Sequence, residues 1–114
     1  MKVIKKNDRP SNSSELLVIR LDGRKTKSIA KFYNKISKKL QFPEYFGHNL
    51  DALYDSLTDL SWCEPLDIQV FIKNFEYFLC KEDEEVRTSI LEIFADAKKD
   101  QMEEDRTFEV FQVK

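Results

Sequence analysis

The residues of this sequence that could do chemistry are carboxylates gathered in the middle of the chain. Between Gln41 and Ile72 there is no Lys or Arg, and the acidic residues there are Glu44, Asp51, Asp55, Asp59, Glu64 and Asp67. The single histidine of the chain, His48, lies among them. Carboxylates beside a histidine could bind a metal ion or act as a general acid and base, whereas carboxylates alone could form an anionic binding surface.

The rest of the sequence gives catalysis little support. There is no second histidine, no HExxH motif, no glycine-rich phosphate loop, and no catalytic triad beyond what one histidine allows. The two cysteines, Cys63 and Cys80, have neither CxxC spacing nor a neighbouring histidine, which favours two reduced thiols. We therefore expect a protein that is not an enzyme and that uses no cofactor and no metal. A hydrolase that depends on His48 is the alternative.

The central aspartates share one face of a predicted helix. Asn49 is a preferred N-cap residue, and the helix is expected to run from there to about Asp59. Its core stripe is predicted to contain Leu50, Leu53, Leu57 and Leu60, opposite Asp51, Asp55 and Asp59, with Tyr54 on the flank. Like charges four residues apart destabilise an isolated helix by about 0.2 to 0.5 kcal/mol per pair. A purely structural surface would more often avoid this cost, although a solvated face is the default interpretation of three aspartates alone.

Hydrophobic periodicity predicts the elements that position this helix. Apolar runs and alternating patterns predict strands at residues 16–21, 66–72 and 107–113. Helical spacing predicts a helix at 27–40, ended by Pro43, and a short helix at 75–79 capped by Asn74. A longer helix places one stripe inward, made of Val86, Ile90, Ile93, Phe94 and Ala97.

Helical connections between consecutive strands favour a parallel sheet. The expected fold class is α/β, with a three-stranded parallel sheet packed against about four helices. One small domain is predicted at residues 16–114, preceded by a flexible arm at 1–15. The two glycines, Gly23 and Gly47, are expected where the backbone needs a positive φ or a close approach.

Charge is strongly segregated along the chain. Residues 1–40 carry twelve Lys and Arg against three acids, whereas the remaining residues are net acidic and the whole chain sums to −2. Lys27, Lys31, Lys35 and Lys38 fall opposite the core stripe of the first helix, where a solvated face is favoured over nucleic-acid binding. With no signal peptide and no apolar run of membrane-spanning length, the chain is expected in the cytoplasm, without membrane contact.

The segment PEYFGHNLDALYDSLTD, residues 43–59, resembles the signature of the barstar family, which are intracellular protein inhibitors of microbial ribonucleases. The helix SIAKFYNKISKKL at 28–40 and the segment FADAK at 94–98 are also similar in type and order. The resemblance covers about residues 16–113 and implies a barstar-like fold. It further implies that a loop and the acidic helix plug a ribonuclease active site, with carboxylates in place of RNA phosphate.

This resemblance implies a set of partner-binding residues. The matching positions are Tyr45, Gly47, Asn49, Asp51, Tyr54, Asp55, Thr58 and Asp96. Asp55 would be the central anion, and the partner would be a secreted, basic, barnase-like ribonuclease or a related toxin nuclease, bound 1:1 by a monomer. Three features depart from the family pattern: Tyr54 stands at a tryptophan position, Asp96 replaces a glutamate, and residues 60–64 carry one extra residue.

The sequence leaves other functions open. The chain could be an immunity protein for a different nuclease or toxin. It could also be a nucleic-acid-binding module that uses the lysine face of residues 27–38, although the acidic remainder of the chain argues against this.

Overall fold

The computed structural model describes residues 16–43, 46–60 and 67–114, which form one parallel sheet and three α-helices. The strands are β1 (Leu16–Asp22), β2 (Asp67–Lys73) and β3 (Thr107–Gln112). The helices are α1 (Ile29–Lys39), α2 (Leu50–Asp59) and α3 (Glu84–Glu103). This confirms the small α/β fold with a three-stranded parallel sheet. The predicted arm at 1–15, together with Tyr45, Cys63 and Leu66, lies outside the described residues.

The sheet has the order β1-β2-β3, so β2 is central and both neighbours run parallel to it. Ile19, Val70 and Val110 lie opposite one another across the three strands. Successive side chains of a strand point to opposite faces. The face that includes Ile19 and Val70 therefore packs into the core. The buried leucines of α2 belong to the same core cluster.

The helix count is lower than predicted, because the segment expected to be a short helix forms only a 3-10 turn, Phe75–Tyr77. Asn74 precedes it with φ 51°, and the Asn74 side chain donates to Asp22 Oδ1 at 2.9 Å instead of capping the turn. Leu79, just after it, has φ 57°. Left-handed residues at both ends interrupt the α-helical dihedrals, which prevents propagation into an α-helix.

The end of α1 is set by its own C-terminal motif rather than by Pro43. Gln41 adopts φ 55°, the Phe42 N–H donates to Ser37 O at 2.8 Å, and the Gln41 N–H donates to Lys38 O at 3.2 Å. These two bonds form a Schellman motif, which satisfies carbonyls that the helix end would otherwise leave unpaired. The helix therefore ends at Lys39, before the proline is reached.

Gly23 allows the turns after β1 and β2 to touch. A Cβ atom added at Gly23 would overlap the carbonyl oxygen of Asn74 and would lie 3.0 Å from the Phe78 nitrogen. Close approach, one of the two alternatives expected from the sequence, is thus the reason for this glycine. Neither glycine has a positive φ, and the left-handed positions of the described chain are held by other residues.

The core is formed by side chains from the sheet and from all three helices. Its largest buried members include Phe32, Ile36, Leu53, Leu57, Ile68, Ile72, Phe78 and Phe108. The ring of Phe32 packs edge-on against Phe78 and Phe94, at centroid distances of 5.5 and 6.0 Å. Among the described helices, none combines the length and the apolar composition of a membrane span.

Candidate functional site

The acidic helix α2 is anchored by leucines and leaves its aspartates in solvent. Leu53 and Leu57 are fully buried, whereas Asp51 and Asp55 are exposed. The prediction that Leu50 belongs to the core stripe is wrong, because 36 % of its surface is exposed. Residues 47–51 are all exposed, so the loop and the first turn of α2 extend beyond the core.

Only part of the acidic segment contributes to this surface. Asp67, at the start of β2, is buried and accepts a hydrogen bond from Thr107 Oγ1 at 2.6 Å. Asp59 is exposed at the last turn of α2. Glu44 and Glu64 lie outside the described residues. Within the described residues, the acidic surface of the 41–72 segment therefore consists of the three aspartates of α2.

The loop before α2 is fixed by the helix cap. Asn49 Oδ1 accepts from the Ala52 N–H at 2.8 Å, and Asn49 Nδ2 donates to Gly47 O at 2.9 Å. This satisfies one unpaired donor of the first helical turn and ties the loop to it. A Cβ atom at the exposed Gly47 would lie 3.1 Å from Asn49 Nδ2, so a side chain there would crowd the cap.

The ring of His48 packs against two aromatic rings. His48 adopts φ 43°, and its ring centroid lies 5.0 Å from that of Phe46 and 5.8 Å from that of Tyr33. The described residues contain no group of three His, Cys, Asp or Glu side chains that could hold a metal ion.

Tyr54 connects α2 to α3. Its hydroxyl donates to Asp100 Oδ2 at 3.1 Å, and 38 % of its surface is exposed. The hydrogen bond to Asp100 is the largest cause that raises the pKa of Tyr54 above its ordinary value. The charge of Asp100, burial and the charges of Asp96 and Asp55 add to this increase in the pKa. Three carboxylates of α2 and α3 therefore act on the hydroxyl of Tyr54.

Thr58 and Asp96 complete the set of predicted site residues in the described chain. The Thr58 hydroxyl donates back to Tyr54 O at 2.9 Å, with a longer contact to Asp55 O at 3.2 Å. Asp96 is exposed on α3, one turn before the Asp100 that accepts the hydrogen bond from Tyr54. Of the eight residues expected from the sequence, only Tyr45 falls outside the described residues.

The carboxylates of Asp51, Asp55 and Asp59 make no hydrogen bond and no ion pair with the part of the chain that the structure describes. They are displayed on a helix whose opposite face is anchored by the buried Leu53 and Leu57. An external cation can therefore bind these carboxylates without first breaking a hydrogen bond or ion pair within the described chain.

Two side chains of the second half of the chain hold the C-terminal end of α2. Gln101, which is 1 % exposed, donates from Nε2 to Leu57 O at 2.7 Å, and Arg106 Nη1 donates to Leu60 O at 2.6 Å. The last carbonyls of a helix have no partner within the helix. The guanidinium also complements the negative end of the helix dipole. The direction of α2 is thus fixed by Gln101 of α3 and by Arg106, which lies three residues beyond the end of α3.

A groove of about 500 Å³ continues the acidic surface between α2 and α3. Its lining residues are Thr58, Asp59, Asp100, Gln101, Glu103, Glu104 and Arg106. The sequence pattern did not identify Asp100, Gln101 or Arg106. Asp96 and Asp100 are four residues apart, so they lie on one side of α3, and this spacing was a signal for Asp100. No comparable signal existed for the other two residues.

The fold and the site together define a small α/β protein with a preformed acidic helix face. The family model described as Barstar (barnase inhibitor) matches residues 16–113, and this chain therefore belongs to the barstar family. A Bacillus subtilis (strain 168) protein named "Putative ribonuclease inhibitor YrdF" is 42 % identical over 57 residues. That alignment covers 50 % of this chain and 59 % of the relative, so the chain matches little more than half of the relative's length.

Proposed function

We propose that this chain is a stoichiometric protein inhibitor of a basic ribonuclease, and that its acidic helix and the preceding loop occupy the enzyme's active site. The observation that carries this proposal is the Asp55 carboxylate, which is exposed on a fixed helix and has no partner in the described chain. Membership of the barstar family supports it, as does the name of the Bacillus subtilis relative. The chain itself performs no catalysis in this role and needs no cofactor.

Asp55 acts as a phosphate mimic. A ribonuclease active site holds the RNA phosphate with cationic side chains, and a carboxylate can accept hydrogen bonds from the same groups. Burial of an unpaired carboxylate costs several kcal/mol, so Asp55 favours a cleft lined by cations and disfavours other surfaces. Asp51 and Asp59 extend the negative field on either side and attract a basic enzyme during diffusion.

The other site residues surround Asp55. Gly47 and Asn49 present the loop, and the cap bond of Asn49 keeps the loop rigid before the partner arrives. Tyr45 is proposed as a further contact from the same loop. Rigid presentation reduces the ordering cost of association, which improves affinity without additional contacts.

Tyr54, Thr58 and Asp96 form the rim of the proposed interface. The Tyr54 hydroxyl is bonded to Asp100, so Tyr54 presents its ring to the partner. Thr58 donates its hydroxyl proton within the helix, so its hydroxyl oxygen is left to accept a hydrogen bond from the partner. In this rim, Tyr54 stands at a tryptophan position of the family pattern and Asp96 replaces a glutamate. These departures favour, as a second candidate, an immunity protein whose target is a nuclease other than a barnase-like enzyme.

The partner is a secreted basic ribonuclease, bound 1:1 by a monomer in the cytoplasm of the cell that makes both proteins. The test measures inhibition of barnase and of a panel of purified secreted ribonucleases and toxin nucleases by the wild-type chain. Asp55→Ala is compared with Glu76→Ala, which removes one exposed carboxylate from outside α2 and so matches the change in net charge.

Breaking a buried ion pair costs about 3 to 5 kcal/mol, so Asp55→Ala should weaken inhibition by roughly a hundredfold or more. Glu76→Ala should alter only the association rate and its dependence on salt. Circular dichroism and thermal unfolding establish that both variants are folded. Inhibition by Asp55→Ala at the wild-type level would contradict the phosphate-mimic mechanism, and inhibition only outside the barnase-like enzymes would select the second candidate.

A further inference from the structure

Cationic residues from three parts of the chain line one cleft at the open edge of β1. The cleft has a volume of about 250 Å³, and its basic lining residues are Arg20, Lys25, Lys35, Lys39 and Lys73. β1 is an edge strand, so its outer side has no neighbouring strand within the described sheet. This cluster differs from the lysine row expected from the sequence, because only Lys35 of that row lines the cleft.

The charges of the cleft are not balanced from within. Asp22 is its single carboxylate, and Asp22 Oδ1 already accepts from the Arg24 N–H and from Asn74 Nδ2 at 3.0 and 2.9 Å. The five cationic side chains make no ion pair with a carboxylate in the described residues. A concave surface lined by one sign of charge concentrates ligands of the opposite sign. The cleft is therefore suited to an anion with several charges.

An aromatic surface adjoins this cleft on the outer face of the sheet. The strand register places Arg20, Phe71 and Phe111 in one row across β1, β2 and β3. The rings of Phe71 and Phe111 are stacked, with centroids 4.8 Å apart and planes 18° apart. Both are partly exposed and lie outside the main core cluster. Stacked rings cover one face of each other, so the apolar platform that they form offers a ligand the other face of Phe71, on the side of β1.

The platform and the cleft are continuous. A second cavity of about 400 Å³ is lined by Val18, Arg20, Phe71, Lys73 and Val113, so Arg20 and Lys73 line both cavities. A ligand could therefore place a flat apolar group against Phe71 and its negative charges among the lysines. Surfaces that bind single-stranded nucleic acid combine a basic groove for the backbone with aromatic rings for the bases.

We propose that this combined surface binds single-stranded nucleic acid, with backbone phosphates in the cleft and one unpaired base against Phe71. Duplexes bind less well, because their bases are paired and stacked and cannot reach the ring. Acidic peptides bind less well because they supply charge without bases. The surface contains none of the residues assigned to ribonuclease inhibition, so this inference does not depend on the proposed function.

The experiment measures binding of fluorescein-labelled single-stranded RNA and DNA of matched sequence by fluorescence anisotropy at low salt. Unlabelled RNA duplex and poly-glutamate serve as competitors. The Lys35→Glu, Lys39→Glu double variant should weaken binding and reduce its salt dependence, by about 0.7 in the log–log slope for each phosphate that is no longer neutralised. Phe71→Ala should weaken binding by about five- to a hundredfold through the loss of base stacking.

The Lys31→Glu, Lys38→Glu double variant is the matched control, since it makes the same charge change at two exposed lysines of the same helix that lie outside the cleft. Phe71→Leu keeps an apolar side chain and removes the ring, so it should lose affinity while circular dichroism shows an intact fold. Binding of either single strand with these effects supports the proposal. Four results would each overturn it: absence of binding at low salt, equal losses in the control and cleft double variants, unchanged binding by both Phe71 variants, or competition by the duplex or poly-glutamate equal to that by single strands.

Discussion

The hydrogen bond from Gln101 to the Leu57 carbonyl offers the sharpest test of how the acidic helix is held. The two atoms are 2.7 Å apart and Gln101 is almost fully buried. Replacement of Gln101 by alanine leaves this carbonyl unsatisfied, which costs about 1 to 3 kcal/mol. Two effects oppose this loss. Alanine forms helix slightly better, and the substitution removes Gln101 Oε1, which has no hydrogen-bond partner in the described residues.

We therefore expect Gln101→Ala to lower the free energy of unfolding by about 1 to 2 kcal/mol. At roughly 4 °C per kcal/mol for a domain of this size, the melting temperature should fall by about 4 to 8 °C. Urea denaturation followed by circular dichroism measures the change, with an unaltered slope against urea concentration. Met102→Ala is the control, because Met102 is the next residue of α3 and is 61 % exposed.

A change below about 0.5 kcal/mol, within the range of ordinary surface substitutions, would refute this reasoning. It would mean that the Leu57 carbonyl finds another partner and that α2 does not depend on α3 for this contact. If the loss occurs, nuclease inhibition by Gln101→Ala should also weaken, because Asp55 lies within one turn of Leu57 on the same helix.

Three further predictions concern the turns, the helix cap and the Tyr54 contact. Gly23→Ala should destabilise the protein by more than about 1 kcal/mol in urea denaturation, because the new methyl group overlaps the Asn74 carbonyl; a neutral result would disprove the close contact. Asn49→Ala should cost about 1 kcal/mol and Asn49→Asp less, since aspartate retains the capping acceptor; equal losses would show that the cap bond is unimportant. The raised pKa of Tyr54 means that the folded state favours the neutral phenol, so this contribution to stability is present below pH 10 and is lost as the pH rises through the folded pKa. Spectrophotometric titration gives the pKa of Tyr54 as the difference between the curves recorded with and without the Tyr54→Phe substitution. This pKa should be lower in the Asp100→Asn background than in the wild type, and an unchanged midpoint would contradict the assigned hydrogen bond.

The fold class was accessible from the sequence because each element has its own hydrophobic period. Alternation in residues 66–72 and the i, i+3, i+4 spacing of α1 identify a strand and a helix without knowledge of their neighbours. The main error, the short helix at 75–79, arose because its apolar spacing fits a helix, whereas Asn74 and Leu79 adopt left-handed dihedrals. In the fold, Asn74 and Leu79 form hydrogen bonds with Asp22 and Thr26 at the turn after β1. The apolar spacing of residues 75–79 carries no information about these long-range contacts.

The candidate site was accessible in part, for a related reason. Seven of its eight predicted residues lie in the described chain, and α2 displays its aspartates as the periodicity of its leucines required. The period gives the buried side of a helix but not how far along the helix the core extends. Leu50 shows the difference, since it belongs to the apolar stripe yet lies in a turn that the core does not cover.

By itself, the sequence determined that α2 is a capped helix with a leucine face and an aspartate face, because propensity, capping and periodicity act within about ten residues of one another. Only the tertiary structure decided what surrounds that helix. Asp100 meets Tyr54 across 46 residues of sequence, Gln101 reaches Leu57 across 44, and Lys73 joins the cleft of Arg20 from a different strand. These pairings depend on which side chains the packing of the sheet and helices brings within hydrogen-bond distance, and that distance is a property of the folded chain alone.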